Sequence, residues 1–336
     1  MRRSRETSDC SLRERFPIIS IRIRSLKFAA VIASFSFAIP NNVLGQAFVP
    51  LRGEGTVTIS YQNTNVHDHL RSDGTSFQAG RIYSHSISGQ IDYGVTDKLA
   101  ASFSVPYIRS LYKGGSPHTP DTLVDHDHAP ELLDDGTYHG GFQDFGLGVR
   151  YNLRARPFAI TPFVAWNLPS YNYPYFAHSA VGRNLWQVNF GASIGGSSDR
   201  LLPRSYFHVR YAYGVTQHPK IDGVSYGGNQ SLLRGDFGFF LSEHLSAKTI
   251  QILQVTHGGL NFPQDFPEPR TSDLWLHHDQ ILSVGFLELG GGLDYELTSS
   301  MDVSAYALTS VWGHNGHSLR MGLAAGVTYY FPRPVR

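Results

Sequence analysis

The stretch Gln90–Tyr107, QIDYGVTDKLAASFSVPY, alternates apolar and polar residues on both sides of a break at Gly94–Asp97. Ile91 and Tyr93 alternate with Gln90 and Asp92. Leu99, Ala101, Phe103, Val105 and Tyr107 alternate with Ala100, Ser102, Ser104 and Pro106. A period of two gives a strand with one apolar face, and a turn between two such runs gives a hairpin. The same alternation returns at Phe145–Leu153, Trp186–Ile194, Phe207–Tyr213, Leu287–Tyr295 and Leu323–Phe331. No segment after residue 47 stands out at the helical period. Leu245–Val255 and Val303–Trp312 alternate less cleanly, so their faces stay unassigned.

The pattern predicts about twelve strands, near 54–66, 80–93, 98–112, 141–153, 158–168, 184–195, 205–217, 231–241, 245–257, 280–297, 302–312 and 318–331. Their connections alternate in length. Short ones fall at Gly94–Asp97, Arg154–Pro157, Ser197–Pro203, Ser242–His244 and Thr298–Met301, and the longest between them is Lys113–Gly140. Short turns at one end and long loops at the other are the pattern of an antiparallel up-and-down barrel in an outer membrane.

Composition decides which solvent meets the apolar face. Charged residues are 16% of the chain, and only Lys98, Lys113, Lys220 and Lys248 supply lysine after residue 47. A water-facing surface is normally far richer in charge. The faces opposite the apolar rows carry glycine, serine and a few charges instead. A transmembrane barrel explains this by turning its apolar rows to lipid and closing its sheet, because lipid cannot pair an open strand edge. Tyr93, Tyr151, Tyr213, Tyr295, Tyr329 and Phe331 are then expected at one membrane interface, next to the short turns. A secreted soluble β protein is the alternative that this reading has to beat.

The N-terminal region reads as an export signal. Arg22, Arg24 and Lys27 flank an apolar run of 12, Phe28–Ile39, and the small-residue stretch Asn41–Ala47 follows. Twelve apolar residues are too few for a spanning helix, which needs about 20. Cleavage after Gly45 or Ala47 fits, so residues 1–46 are taken as signal and lead and 47–336 as the barrel. The sole cysteine, Cys10, falls in the lead. The net charge of +1 shows no basic excess of the kind that binds nucleic acid.

The charged residues on the polar rows are the candidate solute path: Asp92, Asp144, Arg150, Arg210, Arg234, Asp236, Glu288, Asp294 and Arg320. Facing lipid near the midplane, an arginine or lysine would cost about 2–4 kcal/mol; facing a lumen, these charges pair, and either brace the wall or line a route. Histidine is abundant, at 16, and most copies fall in or beside the long loops. An imidazole ordinarily titrates at about pH 6.5, which makes loop repulsion in acid physically possible. Asp125, His126, Asp127 and His128 offer oxygen and nitrogen donors to a metal, as a weak candidate set without fixed ligand spacing. No cofactor is expected. No catalytic residues are expected either, since Ser84–Ser86 sets a histidine between serines without a third partner. The chain is too short for a plugged 22-stranded transporter.

Three stretches carry a family resemblance: Tyr93–Ile108, Gly140–Leu153 and Pro162–Tyr173. With its turn Gly94–Asp97, its strand end Ser104–Tyr107, Asp144 at a strand start and Leu168–Pro169, the chain resembles the outer-membrane barrels named for the meta-cleavage pathway of phenol degradation. Gln143 and Ser170–Tyr171 depart from that pattern. The resemblance implies a barrel admitting small aromatic or hydrophobic compounds. The terminal strand, with Gly326, Tyr329 and Phe331, resembles the signal read by the barrel-assembly machinery, and Ala324 and the tail after Phe331 depart from it. The resulting expectation is a porin-like channel for small solutes in the bacterial outer membrane, with the Lys113–Gly140 loop narrowing its mouth. The alternative is a structural barrel whose extracellular loops bind a partner.

Overall fold

A computed structural model describes residues 47–114, 133–198, 202–266 and 273–332. The expected signal segment, the Asp125–His128 set and most of the Lys113–Gly140 loop lie outside those residues. Twelve antiparallel strands form one closed sheet: β1 Gly55–Leu70, β2 Ser76–Gly94, β3 Leu99–Lys113, β4 in two segments His139–Phe142 and Asp144–Tyr151, β5 Ala159–Pro169, β6 Gln187–Ser197, β7 Ser205–Thr216, β8 Gly228–Phe240, β9 Leu245–Gly258, β10 Gly285–Thr298, β11 Met301–His314 and β12 His317–Phe331. Each pairs with its neighbours in sequence, and β12 closes on β1 from Gly55 opposite Phe331 to His69 opposite His317. The run expected as a strand from residue 280 begins instead at the end of the short helix α2 His278–Ile281, which follows α1 Asp273–Leu276, and β10 starts at Gly285.

The apolar rows point outward. Leu147 is 42% exposed, Phe190 48% and Leu323 44%, while Arg150 across the wall is 7% exposed. Val57, Ile59, Ile87, Ile91, Val149, Val209, Leu233, Leu289 and Val327 continue the exposed belt around the barrel. Soluble monomers rarely expose apolar patches beyond a few hundred Å², so the surrounding solvent is hydrocarbon. The fold is that of a bacterial outer-membrane barrel, and it crosses the bilayer by strands. Among the described residues no helix is long and apolar enough to do so.

Tyr93, Tyr151, Tyr295 and Tyr329 mark the short-turn interface as expected. Tyr213 does not belong with them. It lies three residues before the end of β7, on the long-loop side, where its hydroxyl accepts a 3.1 Å hydrogen bond from Asn229. The turn that follows Tyr213 is long, so alternation alone assigns it to the wrong end. Tyr107, Phe142, Tyr171, Trp186 and Trp312 are the exposed rings of that second belt.

Of the bulges near the outer end, two break the alternation of β11 and β12. Asn65 faces Met321 and Val66 faces Leu319, which leaves Arg320 as the extra residue in β12. Leu287 faces Trp312 and Glu288 faces Ser310, which leaves Val311 extra in β11. Each bulge sets two consecutive residues outward, Arg320 with Met321 and Val311 with Trp312.

Candidate functional site

The interior is built from the second row of each strand, and its sides differ chemically. On β2 to β6 the inward residues around the cavity are mostly small or polar, among them Gln90, Ser104, Gly146, Gly148, Asn167, Gln187 and Asn189, with Phe163 beside them and Ile82 and Tyr112 towards the outer end as the large exceptions. On β8 to β12 they include Leu232, Ile250, Ile252, Phe286, Tyr306, Leu308 and Leu319, which pack into one apolar cluster. Alternation alone predicts a purely hydrophilic interior, and this apolar wall corrects it. The cause is legible in β9: Ser246, Lys248, Ile250, Ile252 and Gln254 share the inward row, so polar and apolar residues of one face cancel any alternation. Gly292 in β10 permits the packing, since a Cβ there would come within 2.5 Å of the Tyr306 Cβ. Between the two walls lies a cavity of about 200 Å³, lined by Arg150, Phe163, Asn189 and Arg210 on one side and Leu232, Ile252, Phe286 and Leu308 on the other.

The structure places the nine sequence-derived residues as follows. Arg150 and Asp92 form a buried pair towards the short-turn end, with Arg150 Nη1 donating to Asp92 Oδ1 at 2.8 Å and Nη2 to the second carboxylate oxygen. Arg234 pairs with Asp236 at 3.2 Å, and His208 Nδ1 lies 3.7 Å from the same carboxylate. Arg210 stands directly across from Arg234 in the β7–β8 register, with its guanidinium 3.7 Å from the centroid of Phe163. Glu288 accepts a 3.3 Å hydrogen bond from Ser310. Asp294 takes Lys248 at 2.8 Å, a partner hidden from sequence reasoning because β9 does not show its faces. Asp144 accepts a hydrogen bond from Tyr173 of the β5–β6 loop. Arg320 leaves the set. It is exposed, because the bulge turns it out of the row it would otherwise share with Gly322.

Chain also covers both mouths. At the short-turn end the segment from Ala47 to Gly53 runs across the opening. Thr161 Oγ1 donates a 2.6 Å hydrogen bond to the Ala47 carbonyl, Arg150 reaches the Phe48 carbonyl at 3.4 Å, and Gly53 N reaches the Gly94 carbonyl at 2.9 Å. At the outer end, the β5–β6 loop folds inward and buries Tyr173, Phe176, Ala177, His178 and Ala180. Beside it the β9–β10 connection packs Phe262, Phe266, Trp275, Ile281 and Leu282 with Ile221 of the β7–β8 loop. Histidines gather there too: His69 and His317 ring centroids are 4.6 Å apart, and His178 and His317 are 4.8 Å apart. The sequence marks these as outer-end residues, but their convergence comes from three separate elements and has no local signal. Among the described residues no group of three or more His, Cys, Asp or Glu is placed to hold a metal ion.

No protein-family model matches the chain, and no curated relative matches it. The resemblance to the phenol meta-pathway family therefore rests on its motifs alone. Among solved structures the chain is similar to the COG4313 outer membrane channel from Pseudomonas putida F1, at 14% identity and a TM-score of 0.64, covering 85% of this chain and 98% of that one. At this identity the likeness speaks for the fold. The NanC porin (10% identity, TM-score 0.45, 82% and 98% covered) and the translocator domain of the autotransporter NalP from Neisseria meningitidis (11%, 0.45, 84% and 90%) match more loosely.

Proposed function

We propose that this chain is a narrow outer-membrane channel for small solutes that pair an apolar, commonly aromatic, body with a polar or anionic group. The observation that supports this most is the two-sided cavity. Leu232, Ile252, Phe286 and Leu308 offer an apolar slide, while Arg210, Asn167 and Asn189 across from them offer donors. A general porin for hydrophilic solutes gains nothing from the first wall, and a ligand with both characters uses the two together. The lumen charges Arg150, Asp92, Arg234, Asp236, Lys248 and Asp294 are matched within 4 Å. They hold the wall in shape, and Arg210 over Phe163 is the group that meets the solute. The chemistry is binding and passage; no nucleophile with an oriented base enters into it.

Export to the outer membrane would proceed through the N-terminal signal, with the terminal strand read through Gly326, Tyr329 and Phe331. Those residues stand at the seam, where Tyr329 pairs with Val57 and Phe331 with Gly55. The covered mouths favour a second reading, a non-conducting barrel that displays its loops. One experiment separates the two. Purified protein in planar bilayers is measured for conductance and, in liposomes, for uptake of benzoate and phenol against glucose. Conductance with preference for the aromatic solutes supports the channel. No conductance, even after removal of residues 47–53 and of the Lys113–Gly140 loop, supports the structural barrel.

A further inference from the structure

The outward wall of the barrel is chemically one-sided at its outer end. Strands β4 to β11 carry Arg150, Arg210, Arg234 and Lys248, and all of these face the lumen. The remaining strand arginines and lysine are Arg81 on β2, Arg109 and Lys113 on β3, and Arg320 on β12. All of them are exposed on the outer face. With β1 between β2 and β12, they occupy one continuous face of four strands that includes the seam where the sheet closes.

The strand register groups them. Arg81 stands opposite His67 of β1 on one side and Lys113 of β3 on the other. Paired residues share a face, on strands about 5 Å apart. Arg81 and Arg320 both lie close enough to His67 for their charges to reach its ring, and Asp68 is the carboxylate that does the same. Arg109 lies four residues nearer the apolar belt than Lys113, opposite His85. Its guanidinium is 4.9 Å from the centroid of Tyr138. The Tyr138 hydroxyl is 3.2 Å from His85 Nε2, and the Tyr61 hydroxyl is 2.7 Å from His85 Nδ1. Tyr61, His85 and Tyr138 thus hold a ring face against Arg109. A guanidinium stacked on a ring still directs its in-plane N–H groups at other acceptors.

The charge at this face is unbalanced. Arg150, Arg234 and Lys248 in the lumen have carboxylates within 4 Å, and among the described residues Arg81, Arg109, Lys113 and Arg320 have none. Asp68 sets one negative charge against them. Asp135, beyond Tyr138, is already held by Thr137 and by His139 at 2.9 Å.

The cations begin where the lipid-facing row ends. Leu323 and Met321 lie on the membrane side of Arg320, Ile87 on that of Arg81 and Tyr107 on that of Arg109, and all four are exposed. The patch therefore meets lipid headgroups rather than hydrocarbon, and the cost of an outward arginine falls away at that depth. The long loops mark this end as the outer leaflet. In an outer membrane that leaflet is built of glycolipid whose sugars carry phosphates. Phosphate oxygens match the planar donor fork of arginine.

We propose that the outer-end faces of β12, β1, β2 and β3 form a binding site for a phosphorylated glycolipid of the outer leaflet. Arg109 and the Arg81–Lys113 pair are separated by about 13 Å along the strands, so a headgroup with two phosphates engages both. Arg320 adds a contact from the other side of β1, so one headgroup spans the β1–β12 seam. The site lies outside the lumen and stands whether or not the barrel conducts.

The test is native mass spectrometry of the folded mature barrel in detergent, titrated with bisphosphorylated lipid A, monophosphorylated lipid A and phosphatidylcholine, with inorganic phosphate as a competitor. The wild type is expected to retain one bisphosphorylated lipid A, at least about tenfold more tightly than phosphatidylcholine and about fivefold more tightly than the monophosphorylated form, each cation at a lipid surface counting for about fivefold. The triple variant Arg81→Gln, Arg109→Gln and Arg320→Gln, with its barrel checked by heat-modifiable gel mobility, is expected to bind about a hundredfold more weakly. Lys220→Gln, in the β7–β8 loop, is expected to bind as the wild type does. A wild type that holds lipid A no more tightly than phosphatidylcholine overturns the proposal without any variant. So does a triple variant that binds like the wild type, or an equal loss in Lys220→Gln. Displacement of lipid A by an equal concentration of inorganic phosphate would assign the patch to the free anion and overturn the lipid assignment.

Discussion

Arg150 reaches over strand β3 to Asp92. The guanidinium starts on β4 and the carboxylate on β2, and the strand between them presents fully buried Ala100 opposite Arg150 and Ser102 opposite Asp92. Small residues on the middle strand are what allow the pair to close. The same arginine touches the Phe48 carbonyl, so one side chain ties three barrel strands to the segment that covers the short-turn mouth.

Removing one partner leaves the other charge buried. Arg150→Met is expected to cost about 3–5 kcal/mol, and Arg150→Met with Asp92→Asn to recover most of it. Urea titration of the liposome-folded barrel, followed by tryptophan fluorescence, measures both. Equal loss in the single and double variants would show that the pair contributes through packing alone.

Thr161 is the second anchor of the N-terminal segment. Thr161→Val removes the 2.6 Å hydrogen bond to Ala47, worth about 1 kcal/mol, and leaves the wall packing nearly intact. Single-channel recordings are expected to show more frequent open excursions in this variant, and a persistently larger conductance when residues 47–53 are deleted. Identical traces in all three proteins would mean that the segment does not obstruct the path.

Arg210 and Arg320 are one class in the sequence and two in the structure. Arg210→Gln removes a cation from the cavity wall and is expected to shift the reversal potential in a salt gradient towards cation preference. Arg320→Gln is expected to leave it unchanged, because the bulge directs that side chain outward. A selectivity shift from Arg320 would contradict the bulge.

The apolar wall makes its own prediction. Phe286→Ser is expected to lower phenol uptake relative to glucose in liposomes several-fold, because the slide is interrupted where the cavity is lined. A ratio equal to that of the wild type would remove the argument for aromatic solutes.

The fold is legible because lipid outside and lumen inside impose opposite demands at every second residue, and Phe145–Tyr151 obeys them without exception. Legibility fails where one wall stops obeying. β9 hides Lys248 and Ile250 in the same row, and β11 inserts Val311, so neither strand shows a clean period. Arg320 is misplaced by a single inserted residue, since one extra residue flips the parity of everything beyond it. The cluster of histidines at the outer end has no local signal at all. His69, His178, His278 and His317 are brought together by barrel closure and by two loops folding inward, and closure is a property of the whole sheet.

The orientation of the wall carries the rest of the account. Single nitroxide labels at Asn189 and Phe190, and at Ala324 and Leu323, in the liposome-reconstituted barrel test it most directly by collision with oxygen and with a water-soluble nickel chelate. Labels at Phe190 and Leu323 are predicted to collide with oxygen and be shielded from nickel, and labels at Asn189 and Ala324 to be shielded from lipid-dissolved oxygen. The opposite assignment at either pair would put the apolar rows in a dry interior and contradict the membrane barrel.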